Sequence, residues 1–367
     1  MRPRQVPRFK DFRESIANLP GGGSIRRDLL DTGQFELASD ERLRVVYAPF
    51  DHVNWDAQIA LVGVTPGWVQ MHNAFVEAQR LVIDGVDEQT LLREVKRVAA
   101  FSGTIRRNLI EMLDGIRAHE LLGLATTEEL FSGDAEHLAH LTSAIRYPVF
   151  RHNGDNYPGT NPSLTQSDLL RPFLTDVLAP ELQQIPAAVI VPLGRSAEDA
   201  LAFLEGSGHI SPARVLKGFP HPSGANAHRR RQYESNRETL TTQLLRWQEQ
   251  IRCEELQPVD RWIELPGLLE LTPDEQELLE TGVRALSMED KWRLDPTAEG
   301  AILARSWTRT PVFRLAESDS PGEFLVWINV AHSKRLGTGT ETLSETRRAL
   351  DAVASQPVND LEGWEWV

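Results

Sequence analysis

The sequence predicts an α/β fold: a central, mainly parallel four-stranded sheet between two helical layers (three-layer α/β/α), followed by a small α+β C-terminal domain. Short continuous apolar runs at 59–64, 187–191 and 213–219 are typical of buried strands. Segments with helical spacing separate these runs, and such alternation favours a parallel sheet. The length of 367 residues exceeds that of one average domain.

The elements are expected in a simple order. An irregular lead-in over 1–40 precedes an α/β domain over 41–252, and an acidic α+β accessory domain spans 260–367. Strands of the α/β domain are predicted at 43–47, 59–64, 141–145, 187–191 and 213–219, and helices at 68–120, at 166–183, after Ser196 and after the segment PHPSGAN. The accessory domain is expected to hold helices at 272–285 and 342–355 and strands at 301–307, 312–315 and 324–330.

Composition restricts the class of protein. Apolar residues make up 41% of the chain, which is enough for a packed core. The single cysteine, Cys253, cannot form a disulfide framework within the chain or a four-thiolate metal site. We expect no metal and no cofactor. The basic N-terminus lacks the apolar run of a secretory signal, and no stretch reaches the length of a membrane span. We therefore expect a cytoplasmic protein without a membrane partner.

The net charge of −14 is unevenly distributed along the chain. Residues 1–250 carry 27 Lys and Arg against 31 Asp and Glu, a net charge of −4, whereas residues 251–367 carry 12 against 22, a net charge of −10. Residues 211–240 carry six basic and two acidic side chains, a local net charge of +4. Although the chain is acidic overall, this segment is basic and could contact a nucleic acid.

The first motif is the turn Gly63-Val64-Thr65-Pro66-Gly67-Trp68, which follows a buried strand. Glycines on both sides of a tight turn let backbone amides approach a ligand. In parallel sheets, ligands bind beyond the carboxyl ends of the strands, where this turn is predicted to lie. An ordinary strand-end turn remains an equally good interpretation of this motif alone.

The second motif is Pro220-His221-Pro222-Ser223-Gly224, on the loop after the third buried run. A histidine between two prolines cannot lie in a regular helix or central strand, so His221 is predicted on a rigid loop at the same edge of the sheet. Such a position favours a functional over a structural histidine. Ser223 and the backbone amides near Gly224 are candidates for binding a phosphate.

Basic residues follow at the start of the next helix: His228, Arg229, Arg230 and Arg231. Cations at this end oppose the helix dipole, whereas the amide end of a helix favours an anion. We therefore expect these residues to contact the phosphate backbone of a nucleic acid, rather than to form a run of charges that only faces solvent. Asn226 is predicted to cap this helix.

These motifs together resemble the uracil-DNA glycosylase superfamily over about residues 40–250. Members carry a Gly-x-Asn/Asp-Pro-Gly-type loop after an early strand and a His-Pro-Ser segment near the end of the domain. They often have a Leu-Gly-x-x-Ala helix start, which Leu193 to Ala197 resembles. The turn at 63–70 is most similar to the single-strand-selective branch, and the lack of cysteines sets the chain apart from the iron–sulfur branches.

The resemblance implies a role for each group. His221 would hydrogen-bond the departing base, and the Thr65 loop would place water near the sugar carbon. Trp68 or Phe75 would stack on a flipped base. The implied base-binding residues are Gly63, Pro66, Gly67, Trp68, Phe75, Ser143 and Asn156. The implied DNA phosphate-binding residues are Ser223, Gly224, Asn226, His228, Arg229 and Arg230.

Two positions depart from the family pattern. Thr65 stands where members have the water-handling Asn or Asp, and a hydroxyl is a poor base near neutral pH. Ser143 stands where many members have the Asn that reads uracil. Asp155 is the candidate compensating carboxylate, although an Asx-turn also explains it. The resemblance therefore implies removal of a modified, non-uracil base rather than of uracil.

The first hypothesis is a DNA glycosylase that hydrolyses the N-glycosidic bond of a flipped base and leaves an abasic site, with anti-phage defence as one setting. Its partner would be single- or double-stranded DNA, and the accessory domain would offer a surface for a protein partner. Alternatives are a catalytically altered nucleic-acid-binding module, a uracil-DNA glycosylase in base excision repair, and a hydrolase of small nucleosides or nucleotides.

Overall fold

A computed structural model of the chain shows a mixed α/β protein with one parallel and two antiparallel sheets. It describes residues 8–21, 25–101, 103–186, 188–224, 226–252, 259, 261–283, 292–298, 300–305 and 310–354. Cys253 and positions 254–258, between the two predicted domains, lie outside the described residues. The chain divides into two compact units, Met1–Gln248 and Glu249–Val367.

The first unit contains two three-stranded sheets. The antiparallel sheet has the order β1-β2-β5, and the parallel sheet has the order β4-β3-β6. The strands are β1 (Glu36–Ser39), β2 (Leu43–Val46), β3 (Ile59–Gly63), β4 (Ala139–Ser143), β5 (Val149–Arg151) and β6 (Val189–Pro192).

Helices connect the parallel strands, as the alternation in the sequence predicts. The described helices of this unit are α1 (Phe9–Ala17), α2 (Trp68–Ile83), α3 (Glu88–Ala99), α4 (Thr104–Gly115), α5 (Ala118–Leu121), α6 (Arg171–Phe173), α7 (Ala179–Gln183), α8 (Arg195–Gly206) and α9 (Arg229–Arg252). The predicted helical region 68–120 is thus three longer helices and one short one, broken near Gly85, Gly103 and Arg117, all of which have positive φ angles.

The parallel sheet lies in the core of the unit, and every residue of β3, β4 and β6 is buried. This explains the continuous apolar runs, because a parallel sheet covered on both faces selects apolar residues at each position. Gly63 pairs with Ser143 in the register of β3 with β4. The carboxyl ends of the three strands therefore meet at one edge of the sheet, which we call the carboxyl edge.

The predicted strand at 213–219 is reduced to one parallel bridge between Val215 and Ile190. Pro212–Arg214 forms a 3-10 turn before it. Beyond it, side chains occupy the backbone groups that a strand would need: Gln243 bonds both the N–H and the C=O of Lys217, at 2.8 and 3.0 Å. Glu198 accepts from Gly218 N–H at 2.7 Å. The chain still passes beside β6 in parallel, without a continuous ladder.

The expectation of an irregular lead-in over 1–40 is wrong for the residues described there. Helix α1 packs against α2 and buries Phe9 and Ile16 in the core. The ring of Phe12 stacks on Tyr47 with centroids 4.0 Å apart. Phe9, Phe12 and Ile16 form an apolar stripe at helical spacing, which the surrounding basic residues obscure in the sequence.

The second unit is built on a five-stranded antiparallel sheet with the order β7-β11-β10-β9-β8. Its strands are β7 (Trp262–Glu270), β8 (Trp292–Thr297), β9 (Gly300–Arg305), β10 (Pro311–Glu317) and β11 (Glu323–Asn329), and its described helices are α10 (Pro273–Thr281), α11 (Val330–Leu336) and α12 (Thr340–Ala354). Alternate residues of the central strands form its core, for example Phe313, Leu315, Val326 and Ile328. Strands β7 and β8 had no counterpart in the sequence prediction, because prolines at 266 and 296 interrupt their patterns.

No helix among the described residues has both the length and the apolar character that a membrane span requires.

Candidate functional site

Four chain segments leave the carboxyl edge. The Thr65 loop follows Gly63 of β3, the segment with Arg146 follows Ser143 of β4, Gly194 follows β6, and the His221 loop follows the bridge at Val215. Their backbones are joined across the sheet: Ile145 N–H donates to Val64 C=O at 3.0 Å, and Gly194 N–H donates to Phe219 C=O at 3.0 Å. The edge is therefore one continuous surface, as the motif order predicts.

One end of this surface holds a cavity of about 290 Å³, mouth included. It is lined by Phe50, Pro66, Gln70, Lys96, Ala100, Phe101, Leu141, Thr142, Ser143 and Arg146. A Cβ placed on Gly63 would lie 3.0 Å from the ring of Phe101 and 3.2 Å from Ser143 Oγ. Glycine at position 63 therefore keeps these two side chains close over the strand end.

The other end holds His221, which is not among the residues that line the cavity. A Cβ on Gly194 would lie 2.7 Å from His221 Cβ, so the loop packs directly on the backbone after β6. Asn108 of α4 donates to Pro222 C=O at 2.7 Å, and Phe101, just before α4, lines the cavity. Phe101 and α4 thus contact the two ends of the carboxyl edge.

The imidazole of His221 is fixed in one tautomer by its own loop. Its Nδ1 accepts a hydrogen bond from Ser223 N–H at 3.1 Å, so in the neutral ring Nε2 carries the proton. Nε2 makes no hydrogen bond to any described residue. Burial lowers the pKa of His221 because it disfavours the charged ring. The group is a neutral imidazole with a preorganised N–H donor.

The hydroxyl of Thr65 faces the backbone rather than an open site. Its Oγ1 donates to Tyr147 C=O at 2.9 Å and accepts from Val149 N–H at 3.1 Å. The proton of the hydroxyl is thereby committed, which leaves one lone pair at most for a water. Thr65 is not among the residues that line the cavity. In this arrangement Thr65 ties the loop after β3 to the start of β5.

The start of α2 is held by the hairpin at 151–157. Asn156 Oδ1 accepts from Trp68 N–H at 3.0 Å, and a Cβ on Gly67 would lie 3.1 Å from Asn156 Nδ2. The ring of Trp68 lies 5.6 Å from the Arg27 guanidinium. Asn156, Gly67 and Trp68 are therefore brought together, but only Pro66 of the predicted turn lines the cavity.

Two candidate residues lie away from the cavity. Asp155 is exposed, and its carboxylate accepts from Asn153 Nδ2 at 2.8 Å within a tight turn, so the Asx-turn interpretation explains it. Phe75 is fully buried in the core, with its ring 4.7 Å from that of Phe35. The expectation that Phe75 stacks on a base is wrong, because its position in the middle of α2 points it into the core.

The residues at and just before the start of α9 have different roles. Arg229 folds back onto the His221 loop and donates to Ser223 C=O at 3.1 Å, whereas Arg230 is exposed. Asn226 Oδ1 accepts from His228 N–H at 3.2 Å, which makes Asn226 a cap just before the helix. Gly224 and His228 are exposed beside it. Arg229 and Asn226 therefore stabilise the loop, and Arg230, His228 and Gly224 remain open to a ligand.

A buried charged network lies behind the cavity. The carboxylate of Glu181 is fully buried and accepts from Arg146 Nε and Nη2 at 2.9 and 2.7 Å. Its other oxygen is 2.7 Å from His140 Nε2 and 3.5 Å from Lys96 Nζ. Arg146, Lys96 and His140 together hold the pKa of Glu181 well below its ordinary value. Burial lowers the pKa of Lys96 to about 8.

Sequence reasoning did not identify Phe101, Lys96 or Arg146 as site residues. Phe101 has a φ of 48°, a conformation that a bulky residue adopts only when its surroundings impose it and that clusters at functional sites. Lys96 occurs in an amphipathic helix, where a lysine usually points to solvent. Among the residues that the structure describes, no three His, Cys, Asp or Glu side chains come together as a metal-binding group.

Comparison with known proteins gives one informative similarity. The chain is 35% identical over 238 residues to "Uncharacterized protein YoxB" of Bacillus subtilis (strain 168), and the match covers 64% of this chain and 91% of YoxB. No family model matches the chain. No solved structure matches it either.

Proposed function

The chain belongs to the same family as Bacillus subtilis YoxB, and we propose that it is a DNA glycosylase that releases a modified, non-uracil base and leaves an abasic site. The proposal rests on the carboxyl edge, where a small cavity with an open mouth and a fixed imidazole donor occupy one surface. DNA in the cytoplasm is the substrate under this proposal, and anti-phage defence is one setting for it.

The observation that carries the proposal is the hydrogen bond from Ser223 N–H to His221 Nδ1. It leaves the proton on Nε2, which bonds no described residue, in a neutral ring whose pKa is lowered by burial. As the glycosidic bond breaks, its electron pair moves onto the base, and a preorganised N–H donor stabilises that negative charge. A neutral donor suits this step because it carries no counter-charge of its own before the bond breaks.

The cavity supports selection of a base other than uracil. Ser143, rather than the Asn of the uracil-DNA glycosylase pattern, lines it at the end of β4. A hydroxyl offers one donor and cannot form the paired donor and acceptor contacts of a carboxamide. The ring of Phe101 supplies an apolar surface on which a flipped base stacks.

Membership of the uracil-DNA glycosylase superfamily is part of this proposal. The parallel order β4-β3-β6, extended by the bridge from Ile190 to Val215, supports a central four-stranded sheet in a three-layer α/β/α arrangement. Leu216 N–H donates to Ile190 C=O at 2.9 Å and continues the alignment by one residue.

On the DNA side, the exposed Arg230 and His228 and the amide of Gly224 border the His221 loop. We assign them to the phosphates that flank the flipped nucleotide. Each phosphate contact by a cation adds to affinity and to its salt dependence. The second unit is proposed to bind a protein partner.

The position of Thr65 favours a second candidate function, a nucleic-acid-binding module without hydrolysis. Its hydroxyl proton is committed to Tyr147 C=O, and Asp155 is paired within its own exposed turn. Neither predicted group is thus set to activate water in this conformation. The module would hold a flipped base in the same cavity and leave the glycosidic bond intact.

Incubation of the full chain with naturally modified phage DNA, followed by mass spectrometry of released bases, tests the proposal. We expect a free modified base and alkali-labile abasic sites in equal amounts with wild-type protein, and neither with His221→Ala. Salt-dependent DNA binding without released base on any modified DNA would support the binding module instead.

The same assay separates DNA from small nucleosides as substrates. Arg230→Ala is expected to weaken DNA binding and reduce the salt slope by about one counterion. An Arg230→Ala protein with unchanged turnover on free nucleosides, and no action on DNA, would identify a nucleoside hydrolase. Exposed Arg195→Ala, whose guanidinium already pairs with Asp199 at 2.8 Å, serves as the matched control.

A further inference from the structure

We propose that the cavity at the end of β3 and β4 recognises a base that carries a negative charge, and that Lys96 is the residue that recognises the charge. The inference rests on the proposed function for the statement that the ligand is a base taken from DNA. It adds the substrate class, which the motifs of the chain do not indicate.

The lining of the cavity has an unequal distribution of charge. Lys96 and Arg146 both line it, and no acidic side chain lines it among the described residues. Glu181, which neutralises part of this charge, is fully buried behind the two cations and is not part of the lining. A ligand in the cavity therefore meets the cations first.

The two cations are compensated to different degrees. Arg146 makes two short hydrogen bonds to Glu181, at 2.7 and 2.9 Å, and Asp51 lies 3.7 Å from it. Lys96 reaches Glu181 only at 3.5 Å and donates its nearer hydrogen bond to the carbonyl of His52, a neutral group. The ammonium is therefore the less compensated charge, and an anionic ligand supplies the missing partner.

The pKa of Lys96 agrees with this geometry. Burial lowers it to about 8, even though Glu181 acts in the opposite direction. A lysine with a complete set of counter-charges keeps its ordinary pKa near 10.4 in spite of burial. The neighbouring Arg146 cation lowers the pKa as well, so burial and like-charge repulsion together disfavour the charged ammonium.

The other polar groups of the lining each have a hydrogen-bond donor to offer a ligand. Thr142 is 6% exposed, and its Oγ1 has no partner among the described residues. The Ser143 hydroxyl also makes no hydrogen bond to a described residue. Gln70 uses its Oε1 to accept from Gly67 N–H at 2.8 Å, so its remaining hydrogen-bonding group is the NH2. An unpaired buried hydroxyl is costly, and an acceptor-rich ligand removes that cost.

The size and shape of the cavity restrict the ligand further. The enclosed part of the cavity is small, about 20 Å³, and the space reaches about 290 Å³ only when the open mouth is included. Phe50, Pro66 and Phe101 supply flat apolar surfaces. These properties suit a small charged substituent in the enclosed part, with the planar ring that bears it in the wider mouth.

The test is isothermal titration of the full chain with free 5-carboxyuracil and with its neutral isostere 5-carbamoyluracil, at pH 7 and without DNA. The charged ligand is expected to bind about 10- to 100-fold more tightly, as for a hydrogen bond to a charged group. Equal affinities of the two ligands for wild-type protein would overturn the proposal without the need for any variant.

Lys96→Met keeps the length of the side chain and removes the charge, so it is expected to abolish the difference between the two ligands. Arg93→Met removes an exposed cation from the same helix and is expected to preserve it. Thermal unfolding confirms that each variant is folded, and Lys96→Gln replaces Lys96→Met if the latter is not. A folded Lys96 variant that keeps the preference for 5-carboxyuracil contradicts the assignment.

These outcomes are distinguishable from a failure of the proposed function. Selective binding of 5-carboxyuracil by a protein that releases no base from DNA would retain the recognition site and reject the glycosylase. Release of an uncharged base from DNA, together with equal binding of the two free ligands, would retain the glycosylase and reject recognition of charge.

Discussion

The two ends of the carboxyl edge are stabilised in opposite ways. At the cavity end, the charged side chains of Arg146 and Lys96 are held by a buried carboxylate, that of Glu181. At the other end, His221 is held by neutral groups only: Ser223 N–H on its Nδ1, Asn226 on its carbonyl and the backbone of Gly194 against its side chain.

Under the proposed function, this difference separates recognition of the base from the chemical step. A charged lining attracts a ligand before the reaction, so it contributes to ground-state binding. A neutral N–H donor interacts weakly with the bound base and more strongly as negative charge develops on it, so it contributes to the transition state. Substitutions at the cavity end are therefore expected to change stability and affinity, and those at the His221 end the rate.

The largest expected effect is on stability, from Glu181→Ala. Removal of this carboxylate leaves Arg146 and Lys96 buried without their counter-charge, and breaking a buried pair in this way costs about 3–5 kcal/mol. Urea unfolding measures the loss. Exposed Glu120→Gln, which removes one partner of a solvent-exposed pair with Arg117, is expected to leave the midpoint nearly unchanged. Equal midpoints for the two variants would show that the cavity end does not depend on its buried charge.

The second effect is on rate, from His221→Ala. Loss of one preorganised donor is expected to lower the single-turnover rate of base release by about 10²- to 10³-fold. The affinity for DNA should change little, because the donor acts mainly after the bond begins to break. His209→Ala, a histidine outside the carboxyl edge, is the control. A tenfold loss of affinity with an unchanged rate would assign His221 to recognition and remove the contrast between the ends.

The third effect is on pH dependence, which both ends share. Burial lowers the pKa of His140 to about 4, that of His52 to about 3, and that of His221 below its ordinary value. Below pH about 6.5, the unfolded chain binds protons at these positions that the folded chain does not, so the free energy of unfolding falls as the pH decreases. Above about pH 7.5 they contribute no slope.

His221→Asn isolates the contribution of one of these groups. Between pH 6.5 and 5, the variant is expected to lose stability less steeply than wild type, by at most about 1.4 kcal/mol per pH unit. Urea unfolding at a series of pH values measures both slopes. Identical slopes would mean that His221 accepts its proton as readily in the folded chain as in the unfolded one.

The smallest effect is expected at Thr65, and it distinguishes a structural hydroxyl from a catalytic one. Thr65→Ser keeps the oxygen that bridges Tyr147 C=O and Val149 N–H and should retain nearly full base release. Thr65→Val should unfold about 1 kcal/mol more easily and lose less than tenfold in rate. A loss near 10²-fold in the valine variant at unchanged stability would place Thr65 in the chemistry.

Several features of the site can be predicted from the sequence because they depend only on residues close together in the chain. A histidine between prolines indicates a rigid loop, and apolar runs that end in Pro-Gly indicate buried strands whose ends meet at one edge. The strand predicted at 141–145 lies at Ala139–Ser143, so Ser143 is at its end rather than in its middle, and Pro66 lines the cavity. Phe75 was misassigned because an aromatic residue in an amphipathic helix gives no indication of which wall it faces.

The residues that line the cavity beyond Pro66 and Ser143 required tertiary structure. Lys96, Arg146 and Glu181 lie far apart in the chain, and each alone resembles a residue that is ordinarily exposed. Their meeting depends on how α3, α7 and the segment after β4 pack around the sheet. The loss of a fourth regular strand likewise depends on Gln243 and Glu198, which reach the backbone of Lys217 and Gly218 from other helices.

The sequence by itself determined the class of fold, the buried parallel strands and the rigid loop that carries His221, because these follow from periodicity, from proline and glycine geometry and from short-range hydrogen bonding. Only the tertiary structure decided which polar groups face the cavity and which form hydrogen bonds to the backbone. The physical reason is that both kinds of side chain occur in the same local sequence patterns. Their hydrogen-bonding partners come from elements that are distant in the chain.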